Sequence, residues 1–598
     1  MKTEDVILYY KSIVSEESDK LQILKKKIFQ IGTLRLAVVL LIALLTVILW
    51  KNTTAVILAV SICVFVFLCL LKYHERLHQQ KSYAETKKQY ATDELKAFEY
   101  DFSAFDGAEH KQDPKHRFAS DLDLFGNKSF FQSVNRTVTS FGTDFLAATF
   151  LAPPTNKDFI LKKQESIKEL ASKHSFVMHY TTKGMLMGKD KLNTKDFSES
   201  FKQTAFFKNR FWSAAIYVVP LVYAILTVLA ILNIVPYVFY GALWLVTFIL
   251  SLIPSKQVKY IADIFDKKTE VLKKYESLFS IIEKESLETK ELEKLKSCFV
   301  KDNIKASKAI NRLKFYYDCL EMSFAYPVLL VFNPVLLWNV KYAAKIEEWI
   351  SKYSNNVELW FSALAEFDSY VSLSIYAYNH QEYTYPAIAD EYTFTAKSLG
   401  HPMLHRDVCV KNDVKINKRP FFLVVTGANM AGKSTYLRTI GINHVLACVG
   451  APVCADKLTV FPCKLVTNLR TTDSLNDNES YFFAELKRLK MIIDRLNSGE
   501  TLFIILDEIL KGTNSEDKQK GSLALIKQLI TLNSNGIIAT HDLVLGDLHN
   551  QFPEDIKNYR FEADIVNNKL SFSYKIREGV AQNMNATFLM REMGITGV

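Results

Sequence analysis

The residues Gly427-Ala428-Asn429-Met430-Ala431-Gly432-Lys433-Ser434-Thr435 have the types and spacing of a phosphate cradle. They fit G-x-x-x-x-G-K-[ST], in which glycines free backbone N–H groups to surround phosphate oxygens and the following helix adds its positive end. In that pattern Lys433 reaches the β- and γ-phosphates and Ser434 ligates Mg²⁺. Further along, the apolar run Thr501–Leu506 ends in Asp507 and Glu508. Asp507 is placed to hold Mg²⁺, and Glu508 to orient or activate an attacking water. His541 ends a third apolar run, Gly536–Thr540, where it is placed to sense a γ-phosphate. Two acids on a turn, or a lone histidine, say little by themselves. In this order, each at the end of a strand-like run, they point to ATP and Mg²⁺ chemistry.

The elements that must position these groups are legible around them. Phe421–Thr426 is a short β-rich run, and Tyr436–Val449 has helical apolar spacing. Strand, glycine loop and helix is the order the cradle requires. Leu502–Leu506 and Gly536–Thr540 also read as strands with helices between them, which predicts a parallel sheet. Tyr559–Ile565 and Leu570–Ile576 alternate around Val566-Asn567-Asn568, which predicts an antiparallel hairpin.

Upstream the composition changes. The chain has 598 residues, 49% of them hydrophobic but unevenly spread, and a formal charge of +10. That charge suits nucleic acid or acidic lipid, although many lysines flank apolar segments or lie on helical faces. Leu36–Trp50 and Thr53–Leu71 form one apolar pair, and Trp212–Leu232 and Pro236–Ile253 a second. The longer segments suffice to cross a ~30 Å hydrocarbon core. Lys25–Lys27, Arg35, Lys72 and Arg76 flank the first pair, and Lys202, Lys208, Arg210, Lys256 and Lys259 the second. The connecting turns hold only Lys51 in one case and no charge in the other. The positive-inside rule then places both pairs as hairpins entering and leaving from the cytoplasm, in a multi-pass protein of the plasma (inner) membrane. A third apolar run, Ala325–Trp338, is shorter and contains Pro327, Asn333 and Pro334, and is expected to be buried core. The eight cysteines show no C-x-x-C or metal-ligand spacing and read as reduced thiols.

Taken together, TGANMAGKST at 426–435, SYFFAELKRLK at 480–490, LDEILKGTNSED at 506–517 and ATHD at 539–542 resemble the MutS family of ATPases in order and spacing. Asp121–Pro154 is similar to the start of that family's lever (core) domain, and Phe332–Trp349 to its returning helices. The resemblance implies an α/β P-loop (ABC-type) ATPase domain and a mostly α-helical lever domain, here with four transmembrane helices in two hairpins. It implies a homodimer with two composite sites, in which Ser480 reaches the γ-phosphate across the interface and Gly512–Ser515 forms the crossing loop. Val410 and Asn412 would lie near the adenine. The sequence departs from the family at three points: Asn478 replaces a glycine, Tyr481 a threonine, and Cys409 the aromatic expected beside the base. Mismatch-recognising members carry a Phe-x-Glu wedge in an N-terminal domain. Here Phe197-Ser198-Glu199 and Phe483-Ala484-Glu485 match only the letters.

The expected organisation is a helical segment (1–31), a first hairpin (32–72), a helical linker (73–115) and the lever in two parts (116–211 and 255–395). The second hairpin (212–254) interrupts the lever, and the ATPase domain follows (396–598). The expected function is a membrane-anchored ATPase that couples nucleotide turnover to a helical lever and its hairpins, with the lipid bilayer and an unidentified protein as partners. DNA binding of the repair or recombination type is the alternative. An ABC-type transporter fits less well, because no Leu-Ser-Gly-Gly-Gln signature occurs.

Overall fold

A computed structural model describes residues 3–188, 206–207, 209–301, 303–428, 430–469, 481–566 and 569–582. The chain divides into two compact units. The first comprises Met1–Arg136, Asp144–Met178 and Tyr370–Val598, and the second Thr137–Thr143 and His179–Ser369. The division falls within three helices, Ser140–Leu151, His174–Met187 and Trp338–Asn379.

The first unit opens with two unbroken helices, Thr3–Ile48 and Thr53–Phe98, of 46 residues each. The boundaries expected at 31/32 and 72/73 therefore lie inside continuous helices, because backbone hydrogen bonding runs straight through the change from charged to apolar sequence. Asn52 caps the second helix, accepting from Ala55 N at 3.2 Å. The charged halves pack on each other through Leu21, Leu24, Leu77 and Ala84, and Lys87 meets Glu17 at 2.9 Å. The apolar halves leave Leu36, Leu40, Val47, Ile57, Ile62 and Phe65 exposed. Each helix is long and apolar enough to cross a membrane.

The base of this pair is fixed by a buried polar network. Arg136 donates from Nε to Glu94 Oε1 at 2.6 Å and from Nη2 to Glu94 Oε2 at 3.3 Å. Asn379 Nδ2 donates to the same carboxylate at 2.8 Å, and Tyr10 Oη donates to Asn379 Oδ1 at 3.0 Å. The Arg136 guanidinium also lies 3.4 Å over the Phe105 ring. His174, within reach of Tyr10 at 3.3 Å, stacks on Tyr378, and burial lowers its pKa to about 3.

The same unit contains a six-stranded sheet. Its strands are β1 (Phe421–Gly427), β2 (Lys464–Asn468), β3 (Leu502–Asp507), β4 (Asn535–Thr540), β5 (Ile556–Phe561) and β6 (Arg577–Glu578). They are ordered β6-β5-β1-β4-β3-β2, and only β6 is antiparallel to its neighbour. β1, β3 and β4 are buried along their whole lengths, as central strands of a parallel sheet must be. A smaller four-stranded sheet is built from Ala387–Ile388, Lys457–Val460, Phe394–Leu399 and Asn412–Ile416. The expected hairpin over 559–576 is shorter than predicted, pairing Ala563–Val566 with Lys569–Phe572. Tyr559–Phe561 belongs instead to β5, parallel to β1. Two-residue alternation marks a strand but not its partner.

At Gly536 in β4, a Cβ atom would lie 2.2 Å from Ile504 O of the neighbouring strand and 2.9 Å from the Phe422 ring. Gly536→Ala is expected to destabilise the fold by ~1–3 kcal/mol, the usual cost of overpacking. A lowered unfolding midpoint of the purified chain checks this, and an unchanged midpoint contradicts it.

The second unit contains the helices Arg210–Ile231 and Val238–Leu252, which carry the second apolar pair. Arg210–Ile231 is long and apolar enough to cross a membrane alone. Val238–Leu252 qualifies only together with Ser255–Asp263, to which it is bent by 49°. Tyr223 and Thr247 share a hydrogen bond of 2.9 Å between these helices, and Thr227 pairs with Tyr240. The charged stretch after the second pair forms two helices, Ser255–Lys284 and Lys290–Cys298. Thr289 precedes the second, and Glu291 and Glu293 occupy its first turn, a helix-start pattern that favours a break there.

Ala325–Trp338 is not buried core. Tyr326 is 80% exposed, and Leu330, Val331 and Phe332 are exposed with it. Apolar composition cannot separate a side chain covered by protein from one that faces another apolar phase.

Candidate nucleotide-binding site

β1 delivers the loop. Gly432 sits at φ +107°, a left-handed conformation that disfavours any side chain, immediately before the helix Lys433–Val449. Lys433 is buried, and its Nζ donates to Gly427 O at 2.6 Å and Ala428 O at 2.9 Å, so the ammonium lies across the loop's inner face. Burial lowers its pKa. Phosphate oxygens entering the loop would give this ammonium stronger, charged acceptors.

The structure brings Ser434 and Asp507 together. Ser434 Oγ donates to Asp507 Oδ2 at 2.7 Å. Asp507 Oδ1 is buried with no hydrogen-bond partner among the described residues. Burial raises the pKa of this carboxyl, partly offset by Ser434. A hydroxyl beside an orphaned carboxylate oxygen is a hard oxygen set, which fits Mg²⁺.

Glu508 follows β3 at φ +49°, with its N–H donating to Ala539 O at 2.9 Å. Its carboxylate lies 3.3 Å from Lys511 Nζ and 3.6 Å from His541 Nδ1. Burial alone would raise the Glu508 pKa, but Lys511, His541 and Lys433 together hold it below the usual glutamate range. His541 stands just past the end of β4, with its Nε2 3.3 Å from Lys518 Nζ. The structure thus brings Lys433, Ser434, Asp507, Glu508 and His541 to the carboxyl ends of β1, β3 and β4, where open parallel sheets bind ligands.

A cavity of about 490 Å³ adjoins these groups. Met430, Gly432, Lys433, Ser434, Thr435 and Glu508 line it on the loop side, and Ala431 is buried beneath. Val410 and Asn412 line it as well. The Asn412 amide is already engaged, donating to Tyr574 O at 2.9 Å and accepting from Ile576 N at 3.0 Å. It therefore shapes the wall rather than offering a free edge to a base. Gly427 ends β1 behind the loop. Cys409 is not among the lining residues, and its thiol points toward His401 O at 3.8 Å. Asn429, Asn478 and Ser480 lie outside the described residues, as does 197–199. Tyr481 begins the helix Tyr481–Asn497. Asn514 of the expected crossing loop caps the helix Ser515–Thr531, accepting from Asp517 N at 2.8 Å.

Two features escaped the sequence. The aromatic surfaces of the cavity come from Tyr436, Phe561 and Tyr574, the last two from β5 and from the segment after Phe572, far downstream of the position where Cys409 replaces an aromatic. The other is Glu485, whose buried carboxylate accepts from Leu510 N at 2.6 Å and Lys511 N at 3.2 Å. It holds the turn that follows Glu508. Its Phe-x-Glu letters are a chance match to the wedge motif, and a glutamate amid apolar residues just before the Asp-Glu strand was the usable signal. Glu485→Ala is expected to lower ATP turnover about tenfold, equal to ~1.4 kcal/mol in barrier. Nucleotide affinity should change much less, and Glu485→Gln should recover part of the rate. Loss of affinity alone would contradict this role.

Residues 423–590 match the family model described as MutS domain V. Among characterised proteins, the chain is similar to "MutS protein homolog 4" of Homo sapiens, 29% identical over 214 residues, which is 34% of this chain and 22% of that protein. It is similar to "DNA mismatch repair protein MutS" of Thermotoga petrophila, 30% identical over 228 residues, covering 37% of this chain and 28% of the relative. The protein of that name from Staphylococcus haemolyticus is 29% identical over 248 residues, covering 40% and 27%. The chain thus matches less than a third of the length of each of these relatives.

Proposed function

The chain belongs to the MutS family through its domain V, and on that premise we propose that it is an ATPase anchored in a membrane by two apolar hairpins. The observation that carries the catalytic part is the grouping of Lys433, the Ser434–Asp507 pair and the ionised Glu508 around one cavity. Lys433 binds the β- and γ-phosphates, while Val410 and the aromatic wall receive the base. Glu508 accepts a proton or hydrogen bond from the attacking water, and His541 stands beside it at the γ-phosphate end. Mg²⁺, held by Ser434 and Asp507, would neutralise charge on the phosphates. Ser480 of a second copy would complete the site in a homodimer. Nucleotide-driven closure of that dimer would move the helical lever and, through it, the hairpins.

The anchor is supported by the apolar windows of Thr3–Ile48 and Thr53–Phe98, only 6% of whose residues are buried. Basic residues flanking both pairs favour a plasma-membrane protein whose soluble units face the cytoplasm. Two measurements test the proposal. Alkaline carbonate should leave the chain in the membrane pellet, and the detergent-purified chain should hydrolyse ATP only with Mg²⁺. Release by alkali refutes the anchor, and absence of hydrolysis refutes the enzyme.

The names of the relatives and the charge of +10 favour one second reading, a DNA-binding protein tethered at the membrane. Its affinity for duplex, branched or single-stranded DNA should fall steeply with salt. Failure to retain any of these at low salt excludes it.

A further inference from the structure

We propose that Phe324–Trp338 is a third membrane element, a wedge that enters one leaflet beside the second hairpin and turns back without crossing. The proposal rests on the membrane reading above. No charged residue occurs between Glu321 and Lys341, and Phe324, Tyr326, Leu330, Val331 and Phe332 are exposed. The helical part, Val328–Phe332 followed by Asn333–Leu336, rises roughly 14 Å at about 1.5 Å per residue, half of a ~30 Å hydrocarbon core. Leu337, at φ +45°, ends it in a left-handed turn.

Irregular backbone survives in hydrocarbon only where its polar groups find partners within the protein. That condition is met here in detail. Pro334 has no N–H, so it withdraws one helical donor from the preceding turn, which is π-helical over Val328–Phe332. Trp244 Nε1, from the apolar helix Val238–Leu252, donates to Leu330 O in that turn at 2.9 Å. Asn333 is 1% exposed and ties the ends of the excursion, donating to Ser323 O at 3.2 Å and accepting from Asn339 N at 3.2 Å. Asn339 in turn donates to Ser251 O at 2.9 Å, at the end of the same apolar helix. An exposed loop in water would have no need of buried amides and an indole to satisfy its carbonyls. Continuity with Val238–Leu252 and the absence of charge identify the occupant of its exposed face as lipid acyl chain.

The test uses the full chain in phosphatidylethanolamine–phosphatidylglycerol vesicles, with a photoreactive diazirine amino acid placed singly at Tyr326, Val331, Leu245 or Leu543. Leu245 is an exposed position on the second hairpin, and Leu543 lies in the ATPase region. Lipid adducts at Tyr326 and Val331 should match the yield at Leu245 and exceed that at Leu543 by about tenfold. Adducts at Leu245 without adducts at Tyr326 and Val331 overturn the wedge and leave the anchor standing. No lipid adduct at Leu245 overturns the membrane reading itself. Crosslinks from Tyr326 and Val331 to a second copy of the chain, in place of lipid, also overturn the wedge and identify a protein interface.

Discussion

Replacing Glu508 by alanine is expected to lower ATP turnover by ~10²–10⁴-fold, the span that a positioned general base contributes. Nucleotide affinity changes little, because the phosphates are held by the loop and Lys433 rather than by this carboxylate. The size of the effect follows from the site's electrostatics. Burial pushes the Glu508 carboxyl up, but Lys511, His541 and Lys433 pull it below the usual range, so at neutral pH it is an acceptor. Any acid limb that it imposes on the rate should therefore lie below the ordinary glutamate value of ~4.3. Glu508→Gln should be nearly as slow as Glu508→Ala, since it keeps the shape and loses the basicity. Single-turnover hydrolysis in detergent, with binding measured separately, checks both. A Glu508→Ala chain that hydrolyses ATP at the normal rate removes Glu508 from the mechanism.

Glu94→Ala is expected to destabilise the first unit by ~3–5 kcal/mol, the cost of leaving one partner of a buried ion pair alone. The Glu94 side chain is 0% exposed and that of Arg136 5%. Removing the carboxylate strands the guanidinium and unties Asn379, to which Tyr10 is bonded. The comparison that separates charge from packing is the double variant Glu94→Met with Arg136→Leu. Because apolar replacement of both partners removes the stranded charge, it should melt above either single variant in the same detergent. If the double variant melts lowest, the pair contributes by shape and not by compensated charge.

The parts legible in the sequence were those in which a short motif dictates geometry. Gly432, Lys433 and Ser434 can form a cradle only between a strand and a helix, so their letters located β1 and the helix after it. Asp507 and Glu508 did the same for β3. The parts that stayed hidden depend on what packs against what. The alternation at 559–561 was correct for a strand, yet nothing local says that it pairs with β1. Tyr574 reaches the cavity from a segment more than a hundred residues beyond the loop. Ala325–Trp338 was assigned to core because its letters are apolar, and its placement turns on Trp244 and Ser251, remote in the chain, the latter reached through Asn339. The first hairpin was found, but not the fact that its helices run unbroken into the charged halves, because a change in composition is not a break in hydrogen bonding.

The turn between the two long N-terminal helices is only Leu49–Asn52, closed by a hydrogen bond from Asn52 N to Leu49 O at 2.8 Å. If the hairpin crosses as proposed, nearly everything it shows to the outside is this turn, with Lys51 as its sole amine. The second turn carries no charge at all. Intact cells treated with trypsin or an impermeant amine reagent would therefore yield almost no cleaved or labelled product, however abundant the protein. Surveys that catalogue cell-surface proteins by external chemistry would pass over it, and its presence in the membrane has to be read from the inner side.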